Sequence, residues 1–157
     1  MRTEEINKWI NEGGSLPEDL TQEEKEHLKK LGWSLKEEWC FNGHKSYEAN
    51  YLHGQHHGKW KTWYINGQKC YESSHLHGSL HGKNENWYNN GQKCYEHHYL
   101  HGKPHGKQEY WYSNGQKWYE RHYLHEMKHG VFKDWDEDGN LLLDEEYYYG
   151  NKIKETS

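Results

Sequence analysis

A chain of 157 residues with 20 basic and 25 acidic side chains carries a net charge of -5, which leaves no basic footprint for nucleic acid. Leu, Ile, Val and Phe number only 20, too few for an aliphatic core, but 9 Trp and 14 Tyr supply enough ring surface for a folded interior. No apolar run reaches signal-peptide or membrane-spanning length, and three Cys is an odd number, so a reducing, cytoplasmic location is expected.

The first 33 residues read as a short helical cap, and residues 34–157 as a repeat array. Thr3 is placed to cap a first helix, with Glu4 and Glu5 at its positive end and Ile6, Trp9 and Ile10 as an apolar stripe. Gly13-Gly14 stops it. Thr21 followed by Glu24 is a capping box for a second helix, Leu28 and Leu31 face one side, and Gly32 closes the C-terminus. Leu16 and Leu20 stand ready to staple its start. Such a leader covers the open edge of the first hairpin or serves as a recognition element.

From there one pattern repeats with a step of 24. Trp39, Trp63, Trp87, Trp111 and Trp135 keep that step, as do Gly43, Gly67, Gly91, Gly115 and Gly139. A fixed period of this length marks a repeat architecture. The copies run over 35–53, 54–77, 78–101, 102–125 and 126–150. Each holds Asn-Gly or Asp-Gly between two strand-like runs, the signal of a two-residue hairpin turn with positive φ at both positions. The expected fold is mainly β: an elongated open meander of five 24-residue hairpins, about ten strands and roughly 50 Å long at 4.8 Å per strand.

Alternation sorts the side chains onto two faces. A turn at Asn66-Gly67 pairs Trp63 with Cys70 and places Trp63, Cys70, Glu72 and Leu76 together. The Trp ladder and Leu52, Leu76, Leu100 and Leu124 make this the expected packed face. The other face carries Tyr64, Tyr71 and His75 and is expected to be wetter. Cys70 and Cys94, at equivalent positions of neighbouring copies, would lie roughly 10 Å apart, too far for a disulfide. The last copy departs from the pattern: Val131, Phe132 and Leu141-Leu142-Leu143 make it aliphatic, Asp136 replaces Tyr, and Glu126 stands where Gly is expected. It closes the array or forms a homodimer seam.

The unit Gly-x-x-His-Gly-Lys-x-x-x-x-Trp-Tyr-x-Asn-Gly-Gln-Lys-x-Tyr-Glu resembles the MORN repeat, and most closely the bacterial variant of YwqK-like antitoxins, over residues 35–153. The resemblance implies a string of β-hairpins acting as a binding scaffold, either for a toxin by analogy of name or for proteins and lipids as MORN arrays in general do. The motif positions are structural, so it transfers no functional residues.

Histidines four apart (His53 with His57, His77 with His81, His101 with His105, His125 with His129) invite a metal reading. They sit in Gly-rich connections, and no Cys or carboxylate recurs beside them at ligand spacing, so no metal and no cofactor is expected. The Glu ladder (Glu48, Glu72, Glu96, Glu120) reads as a Lys-paired strand face, and no nucleophile stands in a catalytic context, so no enzyme is expected. A membrane surface is disfavoured, since neither face is basic. The expected function is a non-enzymatic protein-binding module, antitoxin-like or effector-inhibiting, that occludes a toxin or effector. The candidate contacts are Tyr64, Tyr71, Tyr88, Tyr95, Tyr112, Tyr119 and Tyr123. Two alternatives stand beside it: a scaffold self-associating through the last repeat, and a phage-type inhibitor of a host defence enzyme.

Overall fold

The computed structural model describes residues 2–155; the expected ranges also reach residues 1, 156 and 157, which lie outside the described residues. Two helices, α1 (Thr3–Glu12) and α2 (Gln22–Lys30), precede eleven strands. These are β1 (Trp33–Trp39), β2 (Lys45–Leu52), β3 (Gln55–Trp63), β4 (Lys69–Leu76), β5 (Ser79–Trp87), β6 (Lys93–Leu100), β7 (Lys103–Trp111), β8 (Lys117–Leu124), β9 (Met127–Trp135), β10 (Leu141–Tyr148) and β11 (Asn151–Glu155). They follow one another in a single open antiparallel meander. By internal contacts the chain divides into two compact units, one ending at Gly82 and one beginning at Lys83.

The two kinds of turn exchange the roles expected of them. The two-residue turns with positive φ at both positions are the His-Gly connections: His53 and Gly54 have φ of 50° and 78°, and Leu52 pairs directly with Gln55. His tolerates the left-handed region better than most residues, which explains its recurrence here. The Asn-Gly turns are three-residue loops instead. Gly67 N–H donates to Tyr64 O (2.9 Å), Tyr64 N–H donates to Gln68 O (2.8 Å), and of Asn66 and Gly67 only Gly67 has positive φ. The Asn side chain then ties one loop to the next: Asn42 Nδ2 donates to Ile65 O (2.8 Å), and in the second unit Asn114 Nδ2 donates to Glu137 O (2.9 Å).

The register carries a bulge that the sequence reading lacked. Thr62 pairs with Tyr71 as expected, but Trp63 pairs with Lys69, leaving Cys70 as the extra residue. A wider irregularity sets His57, Gly58 and Lys59 opposite Asn50 alone. That insertion is of two residues, so the sorting into two faces survives it. The strand count is also corrected. Tyr149 and Gly150, with φ of 46° and 82°, make a further turn of the His-Gly kind and lead into β11.

In the first unit the leader packs on the Trp face. Ile6, Trp9, Leu28, Trp33 and Leu52 form one buried core, with Ile10, Leu16, Leu20 and Leu31 against it. Thr3 is the first helical residue rather than the cap, which is Arg2. The capping box of α2 is present, and Arg2 together with the Thr21 N–H holds the buried Glu24 carboxylate well below its usual range. Gly58 sits beneath the leader, where a Cβ would collide with the Trp9 indole and Gly14 O. His57 Nε2 lies 2.7 Å from Trp9 O and, facing a carbonyl, must donate; its Nδ1 then accepts from His77 N–H (3.3 Å). Buried His57 is thereby a neutral link between helix and turn.

Candidate binding face

The Trp face is packed and apolar beneath the leader, around Trp33 and Leu52, but beyond it is not the apolar face that the pattern suggested. Between the Trp row near the Asn-Gly loops and the Leu row near the His-Gly turns runs a ladder of ion pairs. In the first unit Lys45 bridges Glu37 (2.5 Å) and Glu48 (2.7 Å), and Glu72 is held by Lys59 (2.8 Å) and Lys69 (2.6 Å). The second unit repeats the motif with Lys93 on Glu85 and Glu96, and Lys117 on Glu109 and Glu120. Burial alone would raise the Glu72 carboxyl, but Lys59 and Lys69 outweigh it and bring the pKa down to about 2. The tryptophans roof this ladder, as where the Lys45 ammonium lies over Trp39 (5.6 Å) and Trp63 (5.9 Å), and Trp39 stays 56% exposed.

The Tyr/His face is a mesh of rings, the reverse of the expected wet face. In the first unit Trp60 is its centre: Tyr71 meets it edge-on (5.4 Å), His56 stacks on it (4.9 Å), and His75 lies at 5.9 Å from it and 5.2 Å from His56. Burial, and then the neighbouring His56, push His75 down to about 4, so it is neutral at physiological pH. In the second unit His97 stacks on Tyr95 (4.6 Å) and its Nε2 lies 3.1 Å from the Tyr119 hydroxyl; burial, then His98, push it down to about 4.

The candidate tyrosines are all half-buried, but they do different things. Tyr64, Tyr88 and Tyr112 frame the Asn-Gly loops through their backbones. The Tyr88 hydroxyl donates to Trp111 O (2.8 Å) and that of Tyr112 to Trp135 O (3.1 Å), each tying one hairpin to the next. Tyr71 in the first unit, and Tyr95 and Tyr119 in the second, take part in the ring meshes themselves. Tyr123 stands apart, edge-on to Phe132 (5.3 Å).

Sequence reasoning missed what the bulge adds to this face. Cys94, at the position of Cys70, lies beside the Tyr88 and Tyr110 hydroxyls and helps to raise them, and Trp118 at the same position stacks on Tyr112 (5.2 Å). The presence of Trp at a position otherwise held by Cys was the available signal that this site faces rings.

The paired histidines do not converge. His105 Nδ1 accepts from His125 N–H (3.5 Å) and His129 Nδ1 from Tyr149 N–H (3.4 Å), a contact 20 residues along the chain rather than four. Among the described residues no three His, Cys, Asp or Glu side chains gather as they would around a metal ion.

Fold and faces together define a β-hairpin repeat protein. Residues 80–101, 104–125 and 128–147, three consecutive repeats, match the MORN repeat variant. MORN repeats are in general involved in binding proteins or membranes. No curated protein matches the chain. None of the helices among the described residues is long and apolar enough to cross a membrane.

Proposed function

We propose that the chain is a non-enzymatic protein-binding module of the antitoxin-like, effector-inhibiting kind, which covers the active surface of a toxin or effector. A phage-type inhibitor of a host defence enzyme differs in partner and not in physics. The observation that carries this reading holds within each unit: Tyr71 in the first, and Tyr95 and Tyr119 in the second, are half-buried rings held by neighbouring rings, with little rotamer entropy left to lose on binding. Capture of a partner from native lysate by the full chain, repeated with all three changed to Ala, tests it. Loss of capture is expected, and undiminished capture excludes this face. A self-associating scaffold is favoured by a separate observation, the exposure of Leu141 (48%) and Leu142 (66%). Sedimentation across concentrations of the wild type and of Leu141→Ser/Leu142→Ser separates the two readings.

A further inference from the structure

The seat of α1 on the first unit turns on one imidazole. His57 is fully buried, and both of its nitrogens are spent, Nε2 on Trp9 O (2.7 Å) and Nδ1 on His77 N–H (3.3 Å). Only the neutral ring with its proton on Nε2 satisfies both, because a carbonyl accepts and an amide N–H donates. A second proton would go to Nδ1. It would set N–H against N–H at the His77 amide and leave a charge in a site closed to water.

Among the described residues no carboxylate pairs with this ring. From α1 it meets the Trp9 carbonyl and, edge-on at 4.6 Å, the Trp9 indole, while Glu4, Glu5, Lys8 and Glu12 of that helix are exposed. α2 enters the same core with Leu28. The turn after β4 brings His77, itself titratable, with its ring at 4.8 Å. Asn50, opposite in β2, is neutral, and His56, next in the same strand, stacks on Trp60 on the other face. Burial holds His57 below its ordinary pKa, the Trp9 carbonyl opposes this, and His77 adds to it. The docked state therefore takes up a proton less readily than the open one, and docking weakens as pH falls through about 6.5.

Docking also carries a cost of its own. Trp9 Nε1 is buried over Gly58 with no acceptor among the described residues, and undocking returns it to water. The second unit lacks this coupling. His105 and His129 accept in the same way from His125 N–H (3.5 Å) and Tyr149 N–H (3.4 Å), but both rings are half-buried and water can take up their charge.

We propose that protonation of His57 releases α1 from the sheet, so that mildly acidic solution uncovers Trp9 and the surface from Leu52 to Gly58 beneath it while the hairpins stay folded. Arg2, at the start of α1, keeps its pair with Glu24 of α2 in that range, because the Glu24 carboxylate stays ionised, so the two helices remain joined. The inference goes beyond the protein-binding reading and does not depend on it.

The test is amide hydrogen exchange on the full chain between about pH 7 and pH 5, read by mass spectrometry and corrected for the intrinsic rate. A single imidazole that titrates near 6.5 in the open state shifts the docking equilibrium by at most about thirtyfold over that range, so the protection of α1 should fall by up to this factor. His57→Gln, which takes up no proton, should abolish the fall. His75→Leu, on the other face of the same unit, should keep it. A fall of equal size in His57→Gln, or α1 and β3–β4 exchanging at one common rate in acid, overturns the proposal. Where His57→Gln alters the near-ultraviolet dichroism, the nitrogen-15 shifts of the wild-type imidazole decide. A neutral ring protonated on Nε2 is expected above about pH 7, and a ring that is charged or protonated on Nδ1 there overturns the proposal.

Discussion

The two faces of the hairpins come from one alternating pattern and are held by different physics. On the Trp face, Lys and Glu side chains pair across strands beneath rings that stay partly exposed, so each contact can be exchanged for water or for another ion. On the Tyr/His face, rings touch rings and the histidines are kept neutral by burial. The Trp that recurs every 24 residues therefore does not mark the tightest face. It marks the adaptable one, while tyrosine and histidine, with Trp60 and Trp118 among them, mark the preorganised one.

The sharpest way to break this contrast is to remove one Trp from each face. Trp60→Ala deletes the ring that Tyr47, His56, Tyr71 and His75 all contact, and should cost about 3–4 kcal/mol. Trp39→Ala removes a ring that is mostly in water and should stay within about 0.5 kcal/mol of the parent. Urea denaturation of both variants decides it; similar losses would mean that the Trp face is as tightly packed as its opposite.

Acid separates the faces next. His75 has a folded pKa of about 4 against 6.5 when unfolded, so the unfolded chain binds the proton first. Stability is full above pH 6.5 and falls between pH 6.5 and 4, by about 3 kcal/mol for this one residue. The Trp face responds lower. Glu72, like Glu96, has a folded pKa of about 2 against 4.5, and its contribution is lost only as pH falls from 4.5 towards 2. His97 acts in the same window, so a pH series on His75→Leu/His97→Leu should remove most of the upper slope and leave the lower one. An undiminished slope between pH 6.5 and 4 in that variant would assign it elsewhere.

Much of this was legible in the sequence because parity is robust. The 24-residue step and the alternation fix which residues share a face, and the irregularity opposite Asn50 inserts two residues and so preserves it. Turn type was not legible, since Asn-Gly fits both a two-residue and a three-residue loop, and the choice rests on whether His53 accepts positive φ. The bulge at Cys70 was hidden for the same reason: it follows from the loop. The binding row was half legible. Tyr71 and Tyr119 were found by spacing, but nothing in the spacing shows that the Tyr112 hydroxyl is spent on Trp135 O. The end of the array was written plainly. Asp136, where the three middle copies have Tyr and the first has Cys40, accepts from Asp138 N–H (3.1 Å) and Asn140 N–H (2.8 Å) of its own turn.

That difference gives a smaller test. Tyr112→Phe keeps the ring on Trp118 and removes only the bond to the next hairpin, so it should cost about 1 kcal/mol. Capture of a partner should be unaffected if Tyr112 serves the array, and a loss of capture at unchanged stability would return it to the binding row.

The smallest effect expected is that of salt. The Lys–Glu contacts are short but partly open to water: Lys117 is 29% exposed, Glu109 8% and Glu120 22%. Pairs of this exposure contribute a few tenths of a kcal/mol each, and raising the salt to 1 M shortens the screening length to about 3 Å. The whole ladder should therefore lose less than about 1 kcal/mol in 1 M NaCl, because the gain it forfeits was already offset by desolvation. The ring mesh has few charges to screen, among them Arg121, which lies over Tyr119 (4.4 Å) and pairs with Asp134. Lys117→Met/Glu120→Leu should accordingly weaken the salt dependence while leaving stability in dilute buffer nearly unchanged. A salt effect as large as that of Trp60→Ala would make the ionic face the one that holds the hairpins together.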